Sequence, residues 1–118
     1  MINENILHKY HKEGFNEDDL YKTYKIFFGT LVSKPRLRII KLLEKGKRNV
    51  SDIINALDLD QTAVSHNLAR LKRCGFVDVE NDGKYRYYKL NNATIKPALA
   101  LIEKHMSEYC IHILKGDR

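Results

Sequence analysis

No apolar run in this sequence approaches the roughly 18 residues that suggest a membrane span. Its first residues, Met1 to Asn5, lack the basic-then-apolar pattern of a signal peptide. A cytoplasmic protein with no membrane partner is therefore expected. Cysteine is scarce: Cys74 and Cys110 have neither CxxC spacing nor the density of a secreted disulfide scaffold, so reduced thiols are expected. There is no phosphate-binding glycine loop, no complete metal-ligand set and no recognisable nucleophile–base pairing, which argues against an enzyme. No catalytic residue, cofactor or metal is assigned on this reading. Internal repeats, low-complexity tracts and linkers are also missing, and 118 residues suit one folding unit.

What is present is a globular composition, 43% apolar and 31% charged, with a formal net charge of +6. The distribution of that charge is more informative than its size. Residues 34–90 hold thirteen Lys/Arg against seven Asp/Glu, whereas residues 1–33 are slightly acidic and residues 91–118 nearly neutral. A positive potential concentrated in mid-chain suits a polyanion such as double-stranded DNA.

Residues 1–15 show no clean periodicity and are expected to form an N-terminal arm, leaving 16–118 as the folded domain. Asn16 before Glu17, Asp18 and Asp19 marks a helix start, because a capping side chain and early acids complement exposed N–H groups. Leu20, Tyr24, Phe27 or Phe28, and Leu31 then recur at helical spacing. Pro35 opens a second helix whose buried side is expected at Leu37, Ile40 and Leu43, with Ile39 beside them, ending at Lys45-Gly46. Lys47, Arg48 and Asn49 read as loop. Ser51 is expected to cap a short third helix bearing Ile53, Ile54 and Leu57. After the turn Asp58-Leu59-Asp60, Asp60 caps a fourth helix carrying Val64, Leu68 and Leu71, with Leu59 able to staple onto Val64. Two short helices joined by a three-residue turn form a helix-turn-helix pattern.

Phe76 to Glu80 and Lys84 to Leu90 alternate β-branched or aromatic residues with charged ones around Asn81-Asp82-Gly83, which predicts a hairpin, or wing. From Thr94 to Lys115, Ile95, Leu99, Ile102, Met106, Tyr109 and Ile113 follow four- and three-residue steps along one apolar seam. Pro97 is tolerable there only within the first turn. The fold expected is mainly α with a β-hairpin wing.

On the fourth helix, burial of Val64, Leu68 and Leu71 turns Thr62, His66, Ala69, Arg70 and Arg73 outward, with Ser65 at the edge. Hydroxyls, an imidazole and arginines there suit base edges and phosphates in a major groove. Lys84 and Arg86 flank the hairpin tip, where cations reach phosphate or minor groove. With Gln61 at the helix start, the residues expected to face DNA are Gln61, Thr62, Ser65, His66, Arg70, Arg73, Lys84 and Arg86.

Four segments carry a family resemblance. Ser33-Lys34-Pro35-Arg36-Leu37-Arg38-Ile39-Ile40-Lys41-Leu42-Leu43 resembles the second-helix signature of ArsR/SmtB repressors, and Leu59-Asp60-Gln61-Thr62-Ala63-Val64-Ser65-His66-Asn67-Leu68 is similar to their recognition-helix motif. Leu71-Lys72-Arg73-Cys74-Gly75-Phe76-Val77 and Gly83-Lys84-Tyr85-Arg86-Tyr87-Tyr88-Lys89-Leu90 match the family's helix exit and wing. The resemblance covers about residues 28–115. It implies a winged helix-turn-helix homodimer built by the first and last helices, with Leu20, Tyr24, Ile95, Leu99, Ile102, Met106, Tyr109 and Ile113 at the interface. It also implies repression by occupying a pseudo-palindromic operator until an effector loosens the complex.

The resemblance leaves the effector open. The family's thiolate metal site would need cysteines where this chain has Asn49, Val50 and Ser51. Its last-helix site would need an Asp and a His where Asn92 and Thr94 stand, although His105 and Glu108 match the other half. Two ligands do not close a zinc tetrahedron, and His8, His11 and His112 are the spare candidates. A thiol switch would pair Cys74 with Cys110, or Cys110 with its symmetry mate. A winged-helix module used only for protein contacts is the competing class. It would not need Thr62, Ser65, Arg70 and Lys84 on one surface.

Overall fold

The computed structural model describes residues 4–118. Its elements in chain order are α1 (Glu4–Lys12), α2 (Glu17–Leu31), α3 (Lys34–Leu43), α4 (Val50–Leu57), α5 (Gln61–Arg73), β1 (Val77–Asp82), β2 (Tyr85–Leu90), α6 (Ile95–His105), a π-helical turn (Met106–Cys110) and α7 (Ile111–Lys115).

The segment read as an arm contains a helix, α1. Its last turn folds back so that the Phe15 amide donates to the Tyr10 carbonyl at 2.8 Å. The Tyr10 hydroxyl bonds to Thr23 Oγ1, so α1 is held on α2 by tertiary contact. Asn16 caps α2 in a full capping box: its Oδ1 accepts from the Asp19 amide while Asp19 Oδ2 accepts from the Asn16 amide, both at 3.0 Å. That backbone donor, with Lys22 beside it, holds the Asp19 carboxyl below the usual carboxylate range.

Ser33 caps α3 through its hydroxyl, which accepts from the Arg36 amide, and Pro35 follows in the first turn where its missing N–H is harmless. The buried side of α3 is Ile39, Ile40 and Leu43, and Leu37, expected among them, lies at the surface. The cap of α4 is Asn49, not Ser51. Asn49 is extended and its Oδ1 reaches the Asp52 amide at 2.8 Å, which already places Ser51 inside the helix. Asp58 takes the left-handed conformation (φ 53°) that turns the chain sharply into α5, and Asp60 Oδ1 accepts from the Ala63 amide at 2.7 Å.

Val64, Leu68 and Leu71 of α5 meet Ile53 of α4, the α3 residues, and Phe76, Val77, Tyr88 and Leu90 of the hairpin in one core. Fully burying side chains of this size contributes about 1.5–3 kcal/mol each. Strands β1 and β2 pair antiparallel from Val77↔Leu90 to Asp82↔Tyr85. The strand thus runs through Asn81 and Asp82, and the reversal is the two residues Gly83-Lys84, with Gly83 at φ 62°. Arg48, expected in a loop, exchanges both backbone hydrogen bonds with Tyr88 (3.0 and 2.8 Å) and adds a one-residue third strand beside the wing.

The last helix is not one uniform spiral. The Ile111 amide donates to the Met106 carbonyl, an i→i+5 bond that inserts a residue into the turn. Residues beyond it lag by about one position, roughly 100°. Cys110 and Leu114 therefore continue the line through Met106, and Tyr109 and Ile113 swing to its flank. Ile95 and Leu99, at the start of α6, belong to the core of the chain itself.

Candidate nucleic-acid interface

Helix α5 presents two functionally different sides. Gln61, Thr62, Ser65, His66, Ala69 and Arg73 are all exposed, as the buried line Val64, Leu68 and Leu71 requires. Arg70 departs from that expectation. It is half-buried and its Nε donates to Thr30 Oγ1 at 3.1 Å, which draws the side chain back against the end of α2. On the helix it shares a flank with Ala63 and Asn67, about 120° from the buried line and outside the exposed stripe.

Between α5 and β2 runs a groove lined by Ser65, Ala69, Lys72, Arg73, Arg86 and Tyr88. Tyr88 is its floor, and the Arg86 guanidinium lies over that ring at 5.5 Å. Three cations thus converge on one slot beside a hydroxyl, and no acidic residue lines it. Among the described residues neither Lys72, Arg73 nor Arg86 is engaged in an ion pair. Their charge is available to an external anion. Lys84 stands at the hairpin tip with Nζ 5.6 Å from the Tyr85 ring.

The base of the wing is braced by Lys47, whose Nζ pairs with Glu80 at 3.4 Å and lies over the Tyr87 ring at 5.0 Å. Sequence reasoning missed Lys72, Tyr88 and Lys47. Lys72 precedes an obvious arginine, and its place in the groove depends on how the hairpin folds back over α5. The Arg48 bridge to Tyr88, a contact between distant segments, ties the wing to the loop before α4.

The second surface is apolar. Tyr24, Phe28, Met106, Tyr109, Ile113 and Leu114 are exposed on α2 and the last helix, and Leu114 reaches 89%. Of the residues expected at a dimer interface, Leu20, Ile95 and Leu99 are instead buried within the single chain and Ile102 is half-buried. The remaining four, Tyr24, Met106, Tyr109 and Ile113, stand in the open.

Among the described residues no three of His, Cys, Asp and Glu cluster so as to hold an ion. Asn49 uses its amide oxygen as a helix cap, and Thr94 precedes α6 without a capping bond. The His105 ring packs on Tyr109 at 4.7 Å, and His112 Nδ1 meets the Asp117 carboxylate at 3.1 Å. At the last-helix positions Asn92 and Thr94 offer neutral amide and hydroxyl oxygens, poorer zinc ligands than carboxylate and imidazole. Cys74 Sγ lies 3.3 Å from Thr30 Oγ1, while Cys110 is exposed.

A helix-turn-helix (α4–α5) followed at once by a two-stranded wing and flanked by helices on both sides defines the winged helix-turn-helix class. Residues 33–79 match the family described as bacterial regulatory protein, arsR family. The chain is 32% identical over 88 residues to the uncharacterized HTH-type transcriptional regulator Rv0081 of Mycobacterium tuberculosis, covering 74% of this chain and 77% of that one. It is 39% identical over 70 residues to the cadmium resistance transcriptional regulatory protein CadC of Listeria innocua, covering 58% and 59% of the two chains.

Among solved structures, Rv0081 superposes with a TM-score of 0.74 at 29% identity, covering 80% of this chain and 96% of that one. The homodimeric winged helix-turn-helix DNA-binding domain of Mb0332 from Mycobacterium bovis, a possible ArsR-family regulator, gives 0.73 at 28% identity over 81% and 89%. This chain belongs to the ArsR family of transcriptional regulators.

Proposed function

We propose that the protein is a homodimeric repressor that occupies a pseudo-palindromic operator in the cytoplasm and acts by binding, not by catalysis. The observation that carries this reading is the acid-free groove in which Lys72 and Arg73 of α5 meet Arg86 of the wing. A recognition helix seated in the major groove would bring Thr62, Ser65 and His66 to base edges, while the groove cations and Lys84 would grip phosphates on either side. Two such helices one DNA turn apart require the two-fold partner, and the apolar surface of α2 and the last helix is what a second copy would cover.

The test is duplex binding measured against salt, with the promoter of the protein's own gene compared with random DNA of equal length. Selective binding with a steep salt slope is expected. Equal affinity for both DNAs at physiological salt would refute the operator and leave the fold to a protein-contact module.

A further inference from the structure

A polar assembly lies outside the basic groove, where α2 ends against α5. A helix C-terminus leaves carbonyls without intrahelical donors. Here Arg36, from the first turn of α3, supplies them: Nε donates to the Thr30 carbonyl at 2.7 Å and NH2 to the Gly29 carbonyl at 3.1 Å. The same guanidinium sends NH1 across to Asn67 Oδ1 on α5 at 3.3 Å, and Asn67 Nδ2 donates to the Ala63 carbonyl of that helix at 2.9 Å.

Beside it, Thr30 is fully buried. Its hydroxyl donates to the Ile26 carbonyl at 2.8 Å and accepts from Arg70 Nε of α5 at 3.1 Å. Three helices are joined by one fork and one hydroxyl, and among the described residues no carboxylate pairs with Arg36. A charge held by neutral oxygens on two helices is a geometric constraint more than an ion pair.

We propose that Arg36 is a positioning residue: it fixes the angle of recognition helix α5 relative to α2, the helix that carries the exposed Tyr24 and Phe28. Two cations of the basic mid-chain, Arg36 and Arg70, then serve aim and not phosphate contact. The consequence is a rigid link from the dimer-side helix to the DNA-reading helix. Any shift of α2 against its partner would be passed to α5 through Thr30, with no need for α5 itself to touch the effector. Lysine cannot replace the arginine in this role, since one ammonium does not span three acceptors on two helices.

This inference rests on the DNA-binding reading, and its test separates the two. Operator affinity, random-DNA affinity, salt slope and dimer mass are measured for the wild type, Arg36→Lys and Arg36→Gln. With lost hydrogen bonds to a charged group as the scale, both variants are expected to bind operator about tenfold more weakly. The dimer stays intact, the salt slope stays unchanged, and random-DNA affinity holds for Arg36→Lys. If Arg36 were a phosphate contact, Arg36→Lys would bind like the wild type and Arg36→Gln would lose about one unit of slope, which overturns the proposal.

Should both variants unfold, the uncharged pair decides. Thr30→Val is expected to weaken operator binding and Thr30→Ser to restore it; wild-type binding by Thr30→Val overturns the proposal. A wild type that does not select an operator refutes the DNA reading alone. In that case amide exchange without DNA still tests the link: faster exchange in α5 of Arg36→Lys, with α6 unchanged, supports it, and unchanged α5 exchange refutes it.

Discussion

Replacing Met106 by glutamate separates assembly from folding in a way that Leu99 cannot. Leu99 is 7% exposed and sits in the protomer core with Phe76 and Ile95, so Leu99→Ala should cost about 2–5 kcal/mol of folding stability whatever happens to the dimer. Met106 is 49% exposed in the single chain. Full burial of such a side chain is worth roughly 1.5–3 kcal/mol, so covering its exposed half contributes about 0.75–1.5 kcal/mol. Two-fold symmetry doubles that to about 1.5–3 kcal/mol, and a carboxylate at the same seam adds a desolvation penalty. At 1.4 kcal/mol per decade the dimer dissociation constant should rise about ten- to hundredfold from the lost burial alone, and further with the carboxylate penalty. Sedimentation velocity from nanomolar to hundred-micromolar protein reads the shift, and circular dichroism confirms retained helix. An Met106→Glu protein that dimerises like the wild type would refute the seam. One that unfolds as Leu99→Ala does would place Met106 in the core.

Arg86→Ala and Arg73→Ala should each weaken operator binding and lower the magnitude of the salt slope by about one unit; fluorescence anisotropy at several salt concentrations measures both, and an unchanged slope would remove that residue from the phosphate grip. Asp19→Asn should melt at lower temperature than the wild type at neutral pH, with the gap closing in acid. The depressed pKa of Asp19 means that its carboxylate stabilises the fold above the usual carboxylate range, and that contribution disappears as pH falls through the folded value. Glu103→Gln, which removes one of two carboxylates on the exposed Lys41 ammonium (2.8 Å), should change stability by no more than about 1 kcal/mol in thermal melts. Free zinc buffered from picomolar to nanomolar should leave the operator complex intact. Release that is lost in His105→Ala would show that other residues complete a site.

The helices and the hairpin were legible because each is specified locally. Asn16 and Asp60 cap where their side chains predict, Val64, Leu68 and Leu71 bury together, and Gly83 supplies the positive φ the reversal needs. The misses share a different cause. α1 is stabilised by Tyr10 meeting Thr23, a contact between helices that a short segment does not advertise. Arg48 becomes a strand residue only because Tyr88 is brought beside it. Asn49 and Ser51 are both competent caps in sequence, and the choice between them is made by where the backbone turns extended.

The functional surface fails to be legible for a related reason. A helical wheel assumes that a side chain on the solvent half of α5 reaches solvent and that a seam of four- and three-residue steps keeps its phase. Arg70 breaks the first assumption because a long side chain near the flank finds a buried hydroxyl, Thr30 Oγ1, which the sequence of α5 does not contain. The π turn breaks the second, since one inserted residue moves Cys110 and Leu114 onto the line of Met106. Such turns cost helix geometry and persist where packing or function offsets that cost. Here the turn leaves Met106 and Leu114 exposed on one line, Leu114 more than any other large apolar side chain among the described residues. The surface left over after the chain has folded, and not the periodicity of its sequence, is therefore what the proposed partner copy would cover.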